Sequence, residues 1–422
     1  MLPRESYSTH MPASPTCPRP LRTVVAAILA LLSALSLRAD DWPVFRGPNH
    51  NGISNEKGWS TDWPDAGPKI LWRAAVGLGF SSFAVAGGRA YTLGNISGQD
   101  VVYAFDAATG KLLWRHSYAC PVGADFYQGG TSSTPTVDGK TVYTLSRKGN
   151  LFALDAEKGT VLWGRNIMNE LAITEANNWG FGGSPVVDGD LLLLNAGGAG
   201  AAFEKATGKV VWKSTGKAGY STPLPFGTGA RRSILLFAGR SLVAVEPQTG
   251  RSLWTFPWPT QYDVNAADPV VIGDRVIISS GYATGAAGLQ VQGSRATQIW
   301  RNKNLIAHFA TGIVLDGYLY AIHGHSGMVP GDLRCIDPKT GEVKWTERPV
   351  GIGGLTAADG KLIILSERGN LIVANPSPDS FKSIVQAQVL GGTCWAAPVL
   401  ANGRIYCRNG AGQIVCVDVK GK

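Results

Sequence analysis

One unit of sequence returns along most of this 422-residue chain. Its clearest copy reads Ser133-Thr134-Pro135-Thr136-Val137-Asp138-Gly139, then Val142-Tyr143-Thr144-Leu145, then Gly149-Asn150-Leu151-Phe152-Ala153-Leu154-Asp155, and closes on Val161-Leu162-Trp163. Each stretch alternates or runs apolar over a few residues, which reads as a strand. Asp138-Gly139 between the first two suits a two-residue hairpin, where both turn positions need positive φ. The closing tryptophans recur at Trp72, Trp114, Trp163, Trp212, Trp254, Trp300 and Trp345, at intervals of 42, 49, 49, 42, 46 and 45 residues. A four-stranded unit at about this period is a propeller blade. One such sheet cannot bury both faces, so units must stack side by side and close into a ring. The alternative, an open solenoid, repeats at roughly 20 to 30 residues.

The two ends predict how the ring closes. The last unit, Pro398 to Val417, supplies three strands, and Lys69-Ile70-Leu71-Trp72 is an orphan fourth strand near the start. Pairing them gives an all-β, eight-bladed propeller of four-stranded blades over residues 69–422, with residues 40–68 as an extension packing on the ring. Two units are degenerate: residues 267–300 lack the Asp-x-x-Thr-Gly turn, and Gly354 to about Val389 lacks the closing Trp. With 54 Gly, 13 Trp and only 16% charged residues, the composition fits many short strands and tight turns and excludes a disordered chain.

Residues 1–39 read as a signal peptide: Arg22, an apolar run from Val24 to Leu37, then Ala39 before Asp40-Asp41-Trp42. The alternative is a retained membrane anchor, although the run is short for a span. Cys17 precedes the apolar run, so it is not placed as a lipobox cysteine. Cleavage after Ala39 predicts an exported chain, periplasmic or extracellular, without a stable transmembrane span. Removing four arginines and Glu5 lowers the net charge from +9 to +6. No Lys/Arg run forms a nucleic-acid stripe, so no nucleic-acid partner is expected. Five cysteines remain, and no Cys-x-x-Cys-His haem attachment motif occurs. Cys407 and Cys416 flank a hairpin turn but sit one residue out of register, which leaves a disulfide open.

The Leu-x-Ala-Leu-Asp-x-x-x-Gly pattern with its closing Trp resembles the pyrroloquinoline quinone (PQQ) repeat of quinoprotein alcohol dehydrogenases and of BamB, the propeller lipoprotein of outer-membrane barrel assembly. The likeness spans Lys69 to Asp418. The opening Asp41-Trp42-Pro43-x-Phe45-Arg46-Gly47-Pro48 is similar to exported PQQ-like propellers of planctomycete and verrucomicrobial type. The resemblance implies that Trp72, Trp114, Trp163, Trp212, Trp254 and Trp345 dock between adjacent blades as structural residues.

A propeller's working surface is usually the funnel where the first strands begin, because loops on a rigid scaffold carry recognition. The lead-ins here hold Tyr127 and Gln128; Asn178, Trp179 and Phe181; Tyr220; Tyr262, Asp263 and Asn265; His308; and Trp395. They read either as a binding surface or as a channel plug. Asp268 stands where other units place Thr134, Ser184, Thr222 or Ala397 before the strand proline. The resemblance implies an Asp base and a Ca²⁺ site beside PQQ, for which Asp268 would be the base and Asp263, Asn265 and Asp268 the oxygen ligands. Against this, the chain has no adjacent Cys-Cys pair and no room for those enzymes' long insertions. Asp268 reads equally as an acceptor for backbone N–H groups. His308 is a further acid–base candidate, and His323 and His325 are expected as solvent-exposed turn residues. No Ser-His-Asp order, nucleophile elbow or phosphate loop occurs. The leading expectation is a monomeric, non-catalytic ring, without cofactor, that binds a protein, peptide or glycan through its funnel. The alternatives are a PQQ- and Ca²⁺-dependent alcohol or sugar dehydrogenase and a BamB-like assembly factor.

Overall fold

The computed structural model describes Ser8 and residues 40–124 and 127–421. The signal-peptide reading therefore lies outside the described residues. Asp40–Lys422 forms one unit. Its strands make eight four-stranded antiparallel meanders, one blade each. Blade 1 opens with Ala84–Ala86, blade 2 with Thr136–Asp138, blade 3 with Val186–Asp188 and blade 4 with Leu224–Phe226. Blade 5 opens with Val270–Ile272, blade 6 with Ile313–Leu315, blade 7 with Gly354–Ala358 and blade 8 with Val399–Ala401. Both degenerate units build complete blades. Ile70–Ala75 is the fourth strand of blade 8, with Ile70 opposite Val417 and Ala75 opposite Gln413, so the chain's own ends close the ring.

The closing tryptophan and the Asp-x-x-Thr-Gly turn are two halves of one joint. The indole Nε1 of Trp72 donates to Ala107 O at 3.2 Å, that of Trp114 to Ala156 O at 3.0 Å, and that of Trp163 to Lys205 O at 3.0 Å. Trp212, Trp300 and Trp345 bond Pro247, Pro338 and Ser377 in the same way. Each acceptor lies in the turn of the next blade. The turn's glycine is dictated twice over: Gly159 has φ +71°, and a Cβ there would lie 2.5 Å from the Trp114 ring. Trp254 faces blade 5, which lacks this turn, and is held instead by apolar packing with Leu242, Ala244 and Val276.

Every blade also carries a bulge just ahead of this tryptophan or its equivalent. Trp163 pairs with Ala153 and Val161 with Leu154, leaving Leu162 without a partner. Blades 1 and 3 repeat this at Leu113 and Val211, and blade 5 at Ile299. The extra residue turns outward, which is why Leu113, Leu162, Val211 and Ile299 are exposed.

The five described cysteines are free and buried. Cys407 pairs with Val415 and Tyr406 with Cys416, so the two thiols lie one residue out of register.

Candidate functional site

Around the axis the residues just ahead of the first strands form a ladder of hydrogen bonds from blade to blade. The Ser82 N–H donates to Thr134 Oγ1 at 3.0 Å, Thr134 N–H to Ser184 Oγ at 3.0 Å, and Ser184 N–H to Thr222 Oγ1 at 3.1 Å. Thr222 N–H donates to Asp268 Oδ1 at 2.8 Å, and Asp268 N–H to Thr311 Oγ1 at 2.8 Å. Ser82 Oγ reaches back to Ala397 O in blade 8 at 2.8 Å. Asp268 is thus one rung of this ladder. Burial pushes its carboxyl up to about 6, opposed by the charge of Arg46 and by the Thr222 N–H.

Arg46 belongs to the extension, which closes the axis at the end away from the lead-ins. Trp42 pairs with Val85 in blade 1, the Val137 N–H of blade 2 donates to Pro43 O, and Ile53–Ser54 adds in parallel to Gly354–Ala358 of blade 7. Between these contacts the buried Arg46 guanidinium donates to His50 O, Asn51 O, Thr311 O and Gly312 O. Burial lowers the Arg46 pKa to about 10, and that of His50 to about 4 with help from the Arg46 charge.

The lead-ins gather at the opposite mouth, where their rings form an arc. Tyr127 lies 6.0 Å from Phe80, Phe80 stacks on Trp395 at 4.7 Å, and Trp395 meets Phe309 at 5.0 Å. Phe309 meets His308 at 5.0 Å, His308 meets Tyr282 at 5.6 Å, and Tyr282 meets Tyr262 edge-on at 5.5 Å. These rings are half-buried except Tyr262, which is 60% exposed. Trp395 is fixed from behind, its Nε1 donating to Glu367 Oε1 at 3.0 Å while Ile352 N–H donates to Glu367 Oε2. Gly410 leaves room for this cluster, since a Cβ there would overlap the Gln128 amide and the Phe80 ring.

Beyond the arc, Trp179 and Tyr220 meet edge-on at 5.8 Å. A small cavity of about 80 Å³ lies beside them, lined among others by Asn177, Asn178, Tyr220, Tyr262 and Asp263. Burial pushes the Tyr220 hydroxyl up to about 12. Phe181, expected at the funnel, is mainly a core residue packed with Tyr143, Leu145 and Leu194. The larger cavity, about 420 Å³, lies apart from the arc between blades 7 and 8, against Arg73, Gln388 and Gln413.

The three proposed cation ligands do not present one oxygen cluster. Asn265 is fully buried, donating its amide to Ala238 O and Gly239 O and accepting from Ser280 Oγ. Asp263 is paired with Lys217 at 3.4 Å and Arg240 at 3.2 Å. Asp268 is held in the ladder. Among the described residues no group of three His, Cys, Asp or Glu side chains is placed to hold a metal. The donor set therefore does not fit the Ca²⁺ that PQQ chemistry would call for.

The histidines also differ from expectation. His323 and His325 are buried on the second strand of blade 6, Tyr318–His325, rather than exposed in a turn. Their Nδ1 atoms accept from Ile306 N–H and Tyr282 N–H, so each ring is neutral with its proton on Nε2. His308 lies tilted against His325 at 4.0 Å, and burial lowers its pKa to about 3, aided by His325. Phe80 and Tyr282 escaped the sequence reading. Phe80 precedes the first blade, whose lead-in was hidden behind the orphan strand, and Tyr282 sits in a turn between second and third strands.

A family model described as outer membrane protein assembly factor BamB matches residues 56–166, 98–347 and 330–422. The chain is 24% identical to BamB of Yersinia pestis over 365 residues, covering 83% of this chain and 78% of that protein. It is 25% identical to the tetrathionate hydrolase of Acidithiobacillus ferrooxidans, covering 76% of this chain and 61% of that protein. With the quinoprotein ethanol dehydrogenase of Pseudomonas aeruginosa it shares 27% over 55% of this chain, and it spans only 41% of that enzyme. Among solved structures, BamB from Moraxella catarrhalis aligns with TM-score 0.61 at 16% identity, over 84% of this chain and 98% of that one. A europium-containing methanol dehydrogenase aligns with TM-score 0.64 at 12% identity, over 92% and 91%. These alignments concern the fold alone. Among the described residues no helix is long and apolar enough to cross a membrane.

Proposed function

The chain belongs to the BamB-like family of PQQ-like propellers, and from that membership we propose that it is an exported, non-catalytic scaffold that binds a protein, peptide or glycan in its funnel. The observation that carries this reading is the pairing of an aromatic arc at one mouth with an extension, centred on Arg46, at the other. The ring is thereby a cup with a preformed recognition surface. Half-buried aromatics on a rigid frame offer large contact area at little conformational cost. A protein partner, as the name of the BamB relatives suggests for them, is one form of this reading.

The oxidoreductase reading has less support. It would need Asp268 as a base open to substrate and an oxygen-donor cation site, whereas Asp268 is 6% exposed and bonded to the Thr222 N–H. Dye-linked oxidation of alcohols and sugars with added PQQ and Ca²⁺ is expected to be absent. The scaffold reading is tested by capture from the native envelope, with wild type and a Trp395→Ala variant as parallel baits. A protein, peptide or glycan retained by wild type and lost by the variant is the expected result. Equal retention by both, or none by either, would overturn it.

A further inference from the structure

Resting on that reading, we infer that the ligand of the aromatic arc is an uncharged oligosaccharide, laid along the rings from Phe80 and Trp395 to Tyr262.

Three features support this class of ligand. The first is shape. The arc from Phe80 through Trp395, Phe309, His308 and Tyr282 to Tyr262 advances in steps of 4.7 to 5.6 Å between ring centroids. It is longer than one sugar ring, and apart from the Phe80–Trp395 stack its members are tilted to one another rather than forming one plane. An aromatic face carries negative quadrupole charge and attracts the C–H face of a pyranose, while the hydroxyl edge is left for hydrogen bonds. Amides suited to those bonds stand beside the arc: Gln128 against Phe80, and Asn178 at the cavity next to Tyr262.

The second is charge. Of the acids bordering the arc, Glu367 is engaged by the Trp395 indole and the Ile352 N–H and Asp263 by Lys217 and Arg240, while Glu175 lines the cavity beside Tyr262. Near Tyr262 the two formal positive charges of Lys217 and Arg240 are matched by the two negative charges of Asp263 and Glu175. A ligand on this surface therefore meets rings and amides, and at the Tyr262 end charged side chains whose formal charges sum to zero.

The third is that sheet edges an extended peptide could use are in part already taken. Adding a peptide strand requires a free sheet edge. The inner edges of blades 1, 2 and 7 are met by Trp42, Pro43 and Ile53–Ser54 of the extension. The hydroxyl ladder also occupies N–H groups at the first-strand entrances of blades 1 to 5.

The end of the arc is held in a costly conformation. Tyr262 and Asp263 have φ of 64° and 58°, and Tyr282 and Ala283 have φ of 53° and 56°, four non-glycine residues in the left-handed region. Such strain persists where surrounding contacts over-determine it, and it clusters at binding sites. The contacts here are the two ion pairs of Asp263, Thr260 Oγ1 to Val264 O at 3.0 Å, and Tyr282 N–H to His325 Nδ1 at 3.0 Å. They present the Tyr262 ring before any ligand arrives.

The test is titration of the mature protein, read by tryptophan fluorescence and calorimetry, with cellohexaose, maltohexaose and chitohexaose. An uncharged peptide rich in Tyr and Phe is titrated in parallel. Tyr262→Ala and Trp395→Ala are the variants; Tyr262 is exposed enough that its loss leaves folding intact. The expected result is saturable binding of one hexasaccharide that weakens at least about tenfold in each variant, a loss of about 1.4 kcal/mol. If the peptide binds with the same sensitivity and no sugar does, the oligosaccharide inference fails while the scaffold reading stands. If a sugar binds but neither variant weakens it, the assignment to the arc is wrong. If neither sugars nor peptide bind, the inference fails, and envelope capture then decides the scaffold reading independently.

Discussion

Arg46 and Asp268 share the axis as buried groups of opposite charge, and each is bonded to something other than its counterpart. The guanidinium reaches four carbonyl oxygens, and the carboxylate accepts from the Thr222 N–H. Replacing Arg46 by Met removes charge-assisted bonds and leaves carbonyls unsatisfied, so it should destabilise the fold by about 2 kcal/mol or more. Asp268 makes a separable prediction in pH. Its carboxyl rises from an ordinary 3.8 to about 6 through burial, opposed by Arg46 and by the Thr222 N–H. A raised carboxyl contributes stability that is full below 3.8 and is lost as pH climbs through about 6. Urea midpoints measured across that window should fall with pH in wild type. They should fall over a wider range in Arg46→Met, which raises the carboxyl further. Asp268→Thr restores the hydroxyl that other blades use as a rung, and its profile should be flatter. An unchanged slope in Asp268→Thr would mean that another group carries the pH dependence. Asp268 stood out in the sequence because its counterparts are Thr134, Ser184 and Thr222. Arg46 was visible only as a member of the Asp41–Pro48 motif, in which nothing marks a residue that returns to the axis.

At the scale of the element, two glycines with similar backbone and different surroundings separate strain from packing. Gly139, in a first hairpin, has φ +57° and open space where a Cβ would go. Gly159, in a third hairpin, has φ +71° and the Trp114 ring 2.5 Å from that point. Gly139→Ala should cost about 1 kcal/mol, the penalty of the left-handed conformation alone. Gly159→Ala should add overpacking of about 1 to 3 kcal/mol to that penalty, read as a difference between two chemical unfolding midpoints. Equal losses would show that the indole yields freely and that the joint is looser than its geometry. Both glycines were legible as turn residues, and the blade count and the paired ends followed from the repeat. The joint between them was not, because Trp114 and Gly159 belong to different units and periodicity shows only that each recurs. The bulge at Leu162 was hidden for a related reason: an inserted residue inside an apolar strand leaves the apolar pattern unbroken. The lead-in rings were readable as a group, but Asn265 and Phe181 were not readable as interior residues. Their polarity and aromaticity are the same whether they face solvent or the core.

For the whole molecule the decisive strand is Ile70–Ala75, because it closes the ring and also leads into the funnel. Trp72 anchors it, with Phe105 at 5.9 Å, Tyr406 at 5.9 Å and a bond to Ala107 O. Beyond the strand, Val76 N–H donates to Gly412 O at 2.9 Å, Gly79 N–H to Gly410 O at 3.0 Å, and Phe80 N–H to Thr131 O at 2.6 Å. The closure of blade 8 thus sets Phe80 against Trp395. Trp72→Ala and Trp163→Ala remove equivalent side chains, each worth about 3 to 5 kcal/mol. Their consequences should differ. Trp163 lies within a covalently continuous part of the ring, so its loss should lower the denaturant midpoint at constant slope. Trp72 lies at the seam where, among the described residues, the ring is held without a chain connection, so its loss should let blade 8 open before the rest and lower the apparent slope. It should also weaken any ligand of the aromatic arc without touching that ligand, because Phe80 loses its register. If Trp72→Ala shifts only the midpoint and leaves funnel affinity intact, the backbone bonds from Val76 to Phe80 hold the seam by themselves.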